Sequence, residues 1–192
     1  VNLEAVNRLR QAKHRPTKSF ALMFKNLAAI ESACYLDQHE RDELTSPAAP
    51  IVLLRKRNSQ YDHISPDNNY LGVILPYTPL HHLLLDHFVS LVLTSANLAS
   101  EPIAITDFET SLLVEKGVVD HVLTHNRQIV NRADDSIVQV IAGRKQIIRY
   151  SRGYTPQAFH IDYPLPPKIK GAAGWGANMK NSFAFRVEQK IY

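Results

Sequence analysis

LGVILPYTPLHHLLLDHFVSLVLTSAN, residues 71–97, decides the fold class. Leu71 to Leu75 is an apolar run of strand length. Pro79 stands where its fixed φ suits the first turn of a helix, Leu80 to Phe88 continues as an apolar helix, and Ser90 to Thr94 returns to a strand. Working outward, Ser19 to Phe24 and Ile51 to Leu54 are further short apolar strands. Asn2 is placed to cap an amphipathic helix over 3–12 that carries Leu3, Val6 and Leu9 and stops before Pro16. Asn26 is placed to cap a second helix through Leu27, Ile30, Ala33 and Cys34, and a short third helix covers Arg41 to Leu44. Residues 46–50 read as a Pro-bounded turn and 58–69 as a polar loop. Downstream, 107–116 is a helix ending at Gly117, Val118 to Leu123 a strand, and Ser136 to Ile141 with Lys145 to Tyr150 a hairpin about Ala142-Gly143-Arg144. Short strands alternating with helices give an α/β fold, and the hairpin adds antiparallel pairing. No internal repeat is visible.

Composition bounds the function classes. Of the 192 residues, 45% are hydrophobic and 21% charged, the range of an ordinary globular protein, and no run reaches the length of a membrane span. The net charge of +4 is spread rather than blocked, which favours anionic partners without choosing among nucleotides, phosphates and RNA. The single cysteine, Cys34, has no partner for an internal disulfide and lies in an apolar stretch, so it reads as a core residue in a reducing cytoplasm. No His/Cys cluster has zinc spacing. The chain opens on Val1 with no signal-peptide pattern and reads as continuing upstream. Pro156, Pro164, Pro166 and Pro167 mark a semi-rigid linker, so one domain is expected over 1–165, and 166–192, with the glycine-rich stretch 171–176, starts another.

Three segments carry side chains suited to small ligands. In Lys13-His14-Arg15-Pro16-Thr17-Lys18 the plain reading is cations complementing a helix C-terminus; the functional one is a polyphosphate clamp, with Arg supplying a planar fork and Lys a mobile point charge. Thr94-Ser95-Ala96-Asn97 ends an apolar strand, and is either a cap for the next segment or a ligand site at a strand's carboxyl end. Asn131-Arg132-Ala133-Asp134-Asp135-Ser136 faces Arg149 across the hairpin, and is either turn chemistry or a third wall of that site. His81 and His82 are adjacent on a helix and diverge, a structural pair of which His81 is the nearer to a site.

Taken in order, these segments resemble a known family. Lys13-His14-Arg15-Pro16 looks like the Lys-x-Arg-Pro block of YrdC-type adenylate-forming domains, and Ser95-Ala96-Asn97 like their Ser-x-Asn motif. Leu75 to Leu84, Glu101-Pro102-Ile103, His125-Asn126-Arg127, Asp134-Asp135-Ser136 and Arg152-Gly153-Tyr154 with Pro156 resemble the version inside the hydrogenase maturation carbamoyltransferases, HypF. The tail from Gly176 to Phe183 resembles the start of the carbamoyl-transferring domain that follows it there. The sequence departs from the pattern at Ser19, usually Pro, at Ala96, usually Gly, and at Ala99-Ser100, usually Ser-Gly.

The resemblance implies a YrdC-like twisted mixed parallel/antiparallel sheet with flanking helices. It implies that ATP and carbamate, derived from carbamoyl phosphate upstream, give carbamoyl-adenylate, whose carbamoyl group goes to the C-terminal cysteine of HypE. Lys13, Arg15, Lys18, Ser95, Asn97, Ser136 and Arg149 are then the nucleotide-binding residues, with His81, Asp135 and Arg132 lining the site. Positioning and charge neutralisation carry the reaction, so no catalytic base and no metal ligand is assigned, and Mg2+ is expected on the nucleotide phosphates. The rival is the threonylcarbamoyl-AMP synthase of tRNA modification, whose family has a His and an Arg where Met23 and Ile74 stand; neither of these pairs with threonine's carboxylate. An RNA-binding module, prompted by the double-stranded RNA association of the family, lacks an aromatic-interleaved basic stripe, so nucleic acid is not the expected partner. An inactive fragment is the remaining alternative.

Overall fold

A computed structural model of the chain describes residues 1–99 and 101–155, together with the backbone of 173–175 and 182–184. The first compact unit runs from Val1 to Pro156. The domain boundary expected near residue 165 lies outside the described residues, as does Ser100.

Helix α1 (Leu3–Ala12) begins where expected, the Asn2 side chain accepting from the backbone of Glu4 and Ala5. It leads into β1 (Ala21–Phe24) and α2 (Leu27–Ala33), which Asn26 caps. Helix α3 spans Gln38–Thr45, longer than the single turn expected over Arg41 to Leu44, because Asp37 and Glu40 close a reciprocal capping box at its start. There follow β2 (Ile51–Arg55), β3 (Tyr70–Ile74), α4 (Pro79–Leu85) with Thr78 as cap, β4 (Ser90–Leu93) and α5 (Asp107–Glu115). The hairpin β5 (Ile137–Ile141) and β6 (Arg144–Arg149) turns through Ala142 and Gly143, both at positive φ. Outside this unit, β7 (Ala173–Trp175) pairs antiparallel with β8 (Ser182–Ala184).

One expected element does not form. Val118 to Leu123 is not a strand: the amides of Val118 and Val119 turn back to the Leu113 carbonyl at the end of α5, and Leu123 is 77% exposed. Its apolar run finds no strand to pair with among the described residues, and periodicity alone does not supply one.

The six strands of the first unit form one mixed sheet in the order β4-β1-β3-β2-β5-β6. The pairs β1/β3 and β2/β5 are parallel and the other three antiparallel. Side chains alternate across it, and the two faces have different fates. Leu22, Phe24, Val52, Leu54, Leu71, Val73 and Val138 enter the main core with Val6 of α1, Ile30 of α2 and Leu44 of α3. On the opposite face, Met23 and Ile74 pack with Leu85 of α4, while Ala21, Ile51, Leu53, Gly72, Leu93 and Ile137 are left as the floor of a cavity.

The sheet's last strand is tied back by Arg152-Gly153-Tyr154. The Arg152 guanidinium donates to the carbonyls of Ala49 at 2.7 Å and Ala48 at 3.3 Å, and Gly153 at φ +92° passes so close that a Cβ would lie 2.1 Å from the Ala48 oxygen. Gly153→Ala is therefore expected to destabilise the chain by about 2–4 kcal/mol through combined backbone strain and overpacking, read as a lowered denaturation midpoint at unchanged slope.

Candidate nucleotide site

The cavity over the sheet floor has a volume of about 530 Å³. Its walls come from three places: the segment after α1, the turn after β4, and the approach to the β5–β6 hairpin with Arg149 at the hairpin's end.

The first wall is organised by the last turns of α1, whose buried face is Val6, Arg10 and Lys13. Arg10 is 8% exposed and pairs with no carboxylate among the described residues. Its guanidinium donates instead to the carbonyls of Arg15 (3.2 Å), Lys18 (2.8 Å), His63 (2.9 Å) and Ile64 (3.0 Å), and lies over the Phe20 ring. The helix closes with His14 at φ +51° and the Arg15 amide on the Arg10 carbonyl, a left-handed C-terminal turn that swings Arg15 toward the cavity. Arg15 reaches Thr94 Oγ1 at 3.3 Å, while its buried Nε finds no acceptor among the described residues. Burial first, then Arg10 and Arg149 nearby, hold its guanidinium below its ordinary value, with Asp134 acting the other way. It stays charged all the same. Lys18 lines the same wall.

Lys13 is 2% exposed and joins the first wall to the second. Its Nζ donates to the carbonyls of Ser95 (2.5 Å) and Asn97 (2.6 Å) and to Asn97 Oδ1 (3.3 Å). Within the β4 turn, Ser95 Oγ donates to Asn97 Oδ1 at 2.7 Å and Asn97 Nδ2 to the Glu101 carbonyl at 2.7 Å.

On the third wall, Arg149 pairs with Asp134 at 3.3 Å and reaches the Asp135 carbonyl at 3.5 Å. Asp135 accepts from Arg152 Nε at 2.8 Å, and the Tyr77 hydroxyl donates to the same oxygen at 3.4 Å. Arg152 also lies 3.8 Å from the Tyr77 ring centroid, and His81 meets that ring edge-on at 4.6 Å.

Of the residues expected in the site, Lys13, Arg15, Lys18, Ser95, Asn97, Asp135 and Arg149 converge on the cavity. The other three do not line it. Ser136 is fully buried, its hydroxyl donating to the Arg152 carbonyl and accepting from the Ser151 amide, so its bonding is spent inside the fold. Arg132 holds the Ile103 carbonyl and Glu109 at the start of α5. His81 stands behind Tyr77 rather than in the wall. Tyr77 and Arg152 stand in the family-like motifs without an assigned role, and Arg10 is not singled out by the sequence. For Arg10 the usable signal is its spacing of three from Lys13, which puts both on one helix face.

The Sua5, YciO and YrdC family, described as "Telomere recombination", matches residues 1–151. The chain belongs to this family. It is also similar to the carbamoyltransferase HypF of Synechocystis, 40% identical over 194 residues that take in all of this chain and 25% of that protein. A crystal structure of full-length HypF in the phosphate- and nucleotide-bound form superposes with a TM-score of 0.80 at 37% identity, covering 90% of this chain and 27% of that one. HypF of T. kodakarensis gives 0.75 at 38% identity, covering 81% and 21%. The chain spans about a quarter of the length of the curated relatives it matches.

Within this YrdC-type site the charges divide into two kinds. Arg10 and Lys13 face backbone oxygens and shape the walls; Arg15 and Lys18 make no ion pair among the described residues and face open space. Among the described residues no three His, Cys, Asp or Glu side chains converge as a metal site, and Asp134 and Asp135 are each engaged by an arginine. Cys34, the residue that ends α2, is fully buried, and burial pushes its thiol up to about 12, as suits a core residue.

Burial, with Arg15 nearby, pulls Lys13 from 10.5 down to about 8. Between these values the unfolded chain binds the proton and the folded chain does not, so stability rises with pH in this window. Lys13→Met should remove a positive slope of up to about 1.4 kcal/mol per pH unit from the chain's stability between those values, measured by denaturant unfolding of both proteins across the range.

Proposed function

We propose that this chain is the adenylate-forming part of a HypF-type carbamoyltransferase of hydrogenase maturation, binding ATP in the cavity and joining its α-phosphate to carbamate. The observation that carries the reading is the convergence of Arg15 and Lys18 from one wall and Arg149 from another on a single cavity, with Arg15 and Lys18 in no ion pair among the described residues. Such a set suits a polyphosphate better than a lone carboxylate, and the apolar floor of Ile51, Leu53, Leu93 and Ile137 supplies contact area for the base. The likeness to a nucleotide-bound HypF supports the same ligand class.

In this reading a carbamate oxygen attacks the α-phosphorus. A new C–O–P bond forms as the bond to the bridging oxygen breaks, and the electron pair leaves with pyrophosphate. No proton moves, so no general base is needed. What the chain supplies is alignment of two anions and donors for the charge that builds on the leaving group. Arg15 and Lys18 take that charge, Arg149 holds the α-phosphate end, and Lys13 holds the turn carrying Ser95 and Asn97. Mg2+ would ride on the nucleotide phosphates. HypE would receive the carbamoyl group in a later step of the longer enzyme, in the cytoplasm; no helix among the described residues is long and apolar enough to cross a membrane.

Carbamate rather than a threonine derivative is favoured by Met23 and Ile74. They are register partners across β1 and β3, 2% and 0% exposed, and they close an apolar cluster with Leu85 where the threonine synthases have a His and an Arg. A carboxylate placed there would be desolvated without a partner.

Two measurements test the reading. Calorimetric titration should show ATP binding that Arg15→Ala weakens by about 10-fold to 100-fold, the value of a charge-assisted contact. Pyrophosphate release from ATP should appear in ammonium bicarbonate, which contains carbamate at equilibrium, and should not rise when threonine is added to bicarbonate. Unchanged ATP affinity in Arg15→Ala, or threonine-dependent release, overturns it.

A further inference from the structure

We propose that Asp135, braced by Arg152 and Tyr77, accepts the hydrogen bond of the substrate's amino group and so selects carbamate over acids of the same shape. The inference rests on the carbamoyl-adenylate reading and names the specificity element of that site.

Once the anionic end of the substrate is satisfied, its third substituent is left to be recognised. Carbamate, bicarbonate and acetate share a planar carboxylate, and Arg149, at the α-phosphate end, treats all three alike. They differ only at the third substituent: an amino group donates two hydrogen bonds, a hydroxyl one and a methyl none. Discrimination therefore needs an acceptor facing that end.

Most acceptors in the wall are already used. Asn97 Oδ1 takes Lys13 and Ser95, Thr94 Oγ1 takes Arg15, and Asn68 Oδ1 takes the Tyr70 amide. Asp134 and Asp135 both line the cavity, and in each Oδ2 takes part in no hydrogen bond among the described residues. Asp134 pairs with Arg149 and its side chain is 48% exposed, whereas Asp135 Oδ1 accepts from both Arg152 and Tyr77 and its side chain is 24% exposed, so the Asp135 carboxylate is the better held of the two.

Its position is also suitable. Arg149 Nη1 lies 3.5 Å from the Asp135 backbone oxygen, so a cation for the carboxylate end and an acceptor for the amino end stand side by side. The brace is built rather than incidental. Arg152 is fixed by the carbonyls of Ala48 and Ala49, holds Asp135 through Nε, and covers the Tyr77 ring, which His81 supports from its other contact. Because those carbonyl bonds do not depend on Asp135, the Arg152 anchor survives its replacement.

The plain alternative is that Asp135 does no more than neutralise Arg152. The two make different claims about selectivity. A site built to hydrogen-bond a donor rejects the analogue that lacks it, whereas a merely structural ion pair lowers activity toward every acid equally.

The test measures pyrophosphate release from ATP with carbamate, supplied as ammonium bicarbonate, against acetate and against bicarbonate without ammonium, for the chain and for Asp135→Asn and Tyr77→Phe. Asp135→Asn should lower the preference for carbamate over acetate by about 10-fold or more, as expected for a lost hydrogen bond to a charged acceptor. Tyr77→Phe, which keeps the ring on Arg152, should lower it by a smaller factor in the same direction. If both variants keep the preference, or if Asp135→Asn only weakens ATP binding, the inference is wrong while the adenylate-forming reading stands. If the unsubstituted chain releases no pyrophosphate with carbamate, that reading fails first and the inference falls with it.

Discussion

The structure around the cavity depends on one buried guanidinium. Arg10 places its donors on the carbonyls of Arg15, Lys18, His63 and Ile64, so two loops far apart in sequence meet at one side chain. A buried charge is costly unless its hydrogen bonds are made, and here four are made to groups that carry no opposing charge. Burial accordingly pulls the Arg10 guanidinium below its ordinary value without removing its proton. The consequence is positional. With the Arg15 and Lys18 carbonyls held from within, their side chains turn outward into the cavity, and the loop behaves as part of the rigid scaffold. Lys13, one helical turn on, repeats the device on the Ser95 and Asn97 carbonyls. One short helix thus sets two of the three walls.

The same economy governs the sheet. Its residues alternate between a packed face and an open one, and on β1 the two are neighbours: Leu22 and Phe24 enter the main core while Ala21 lies in the cavity floor and Met23 joins the small cluster under α4. A one-residue slip in the β1/β3 register would exchange these sets, sending core side chains into the cavity and small floor residues into the core. The cavity is therefore specified by the same alternation that specifies the fold.

Much of this was legible in the sequence, and the failures have distinct causes. The strand and helix runs of residues 71–97 and the caps Asn2 and Asn26 are local signals, and each appears within a few residues of its expected place. Helix α3 was read too short because the Asp37/Glu40 capping box was overlooked. Val118 to Leu123 was read as a strand from composition, but a strand needs a partner, and pairing is not a local property. In the site, the cations of the Lys-x-Arg-Pro block were singled out by chemistry and resemblance together, and Lys13, Arg15 and Lys18 line one cavity. Ser136 was misplaced because a hydroxyl next to two aspartates carries no sequence mark of whether it faces a ligand or, as here, the Arg152 carbonyl and Ser151 amide. Arg10 was passed over for the converse reason: in sequence it is another cation near a helix end, and only burial separates it from Arg8, whose guanidinium pairs with Asp120 on the surface.

Two adjacent carboxylates in the wall of a proposed polyphosphate site raise an electrostatic question. Left bare, Asp134 and Asp135 would repel the ligand that Arg15 and Lys18 attract, and at low dielectric that repulsion would be large. The hairpin resolves it by geometry. Arg149 at the end of β6 pairs with Asp134, and Arg152, three residues later, pairs with Asp135. Arg15 and Lys18 make no ion pair among the described residues, so two cations in the wall remain to face an anion. The two pairs still differ in what they leave available. Arg149 is itself in the cavity wall and can share its charge with a phosphate, whereas Arg152 is spent on Ala48, Ala49 and the Tyr77 ring. Asp134 thus belongs to the anion-binding end beside Arg149, and Asp135, neutralised by an arginine that is anchored elsewhere, is the better placed of the two to receive a donor.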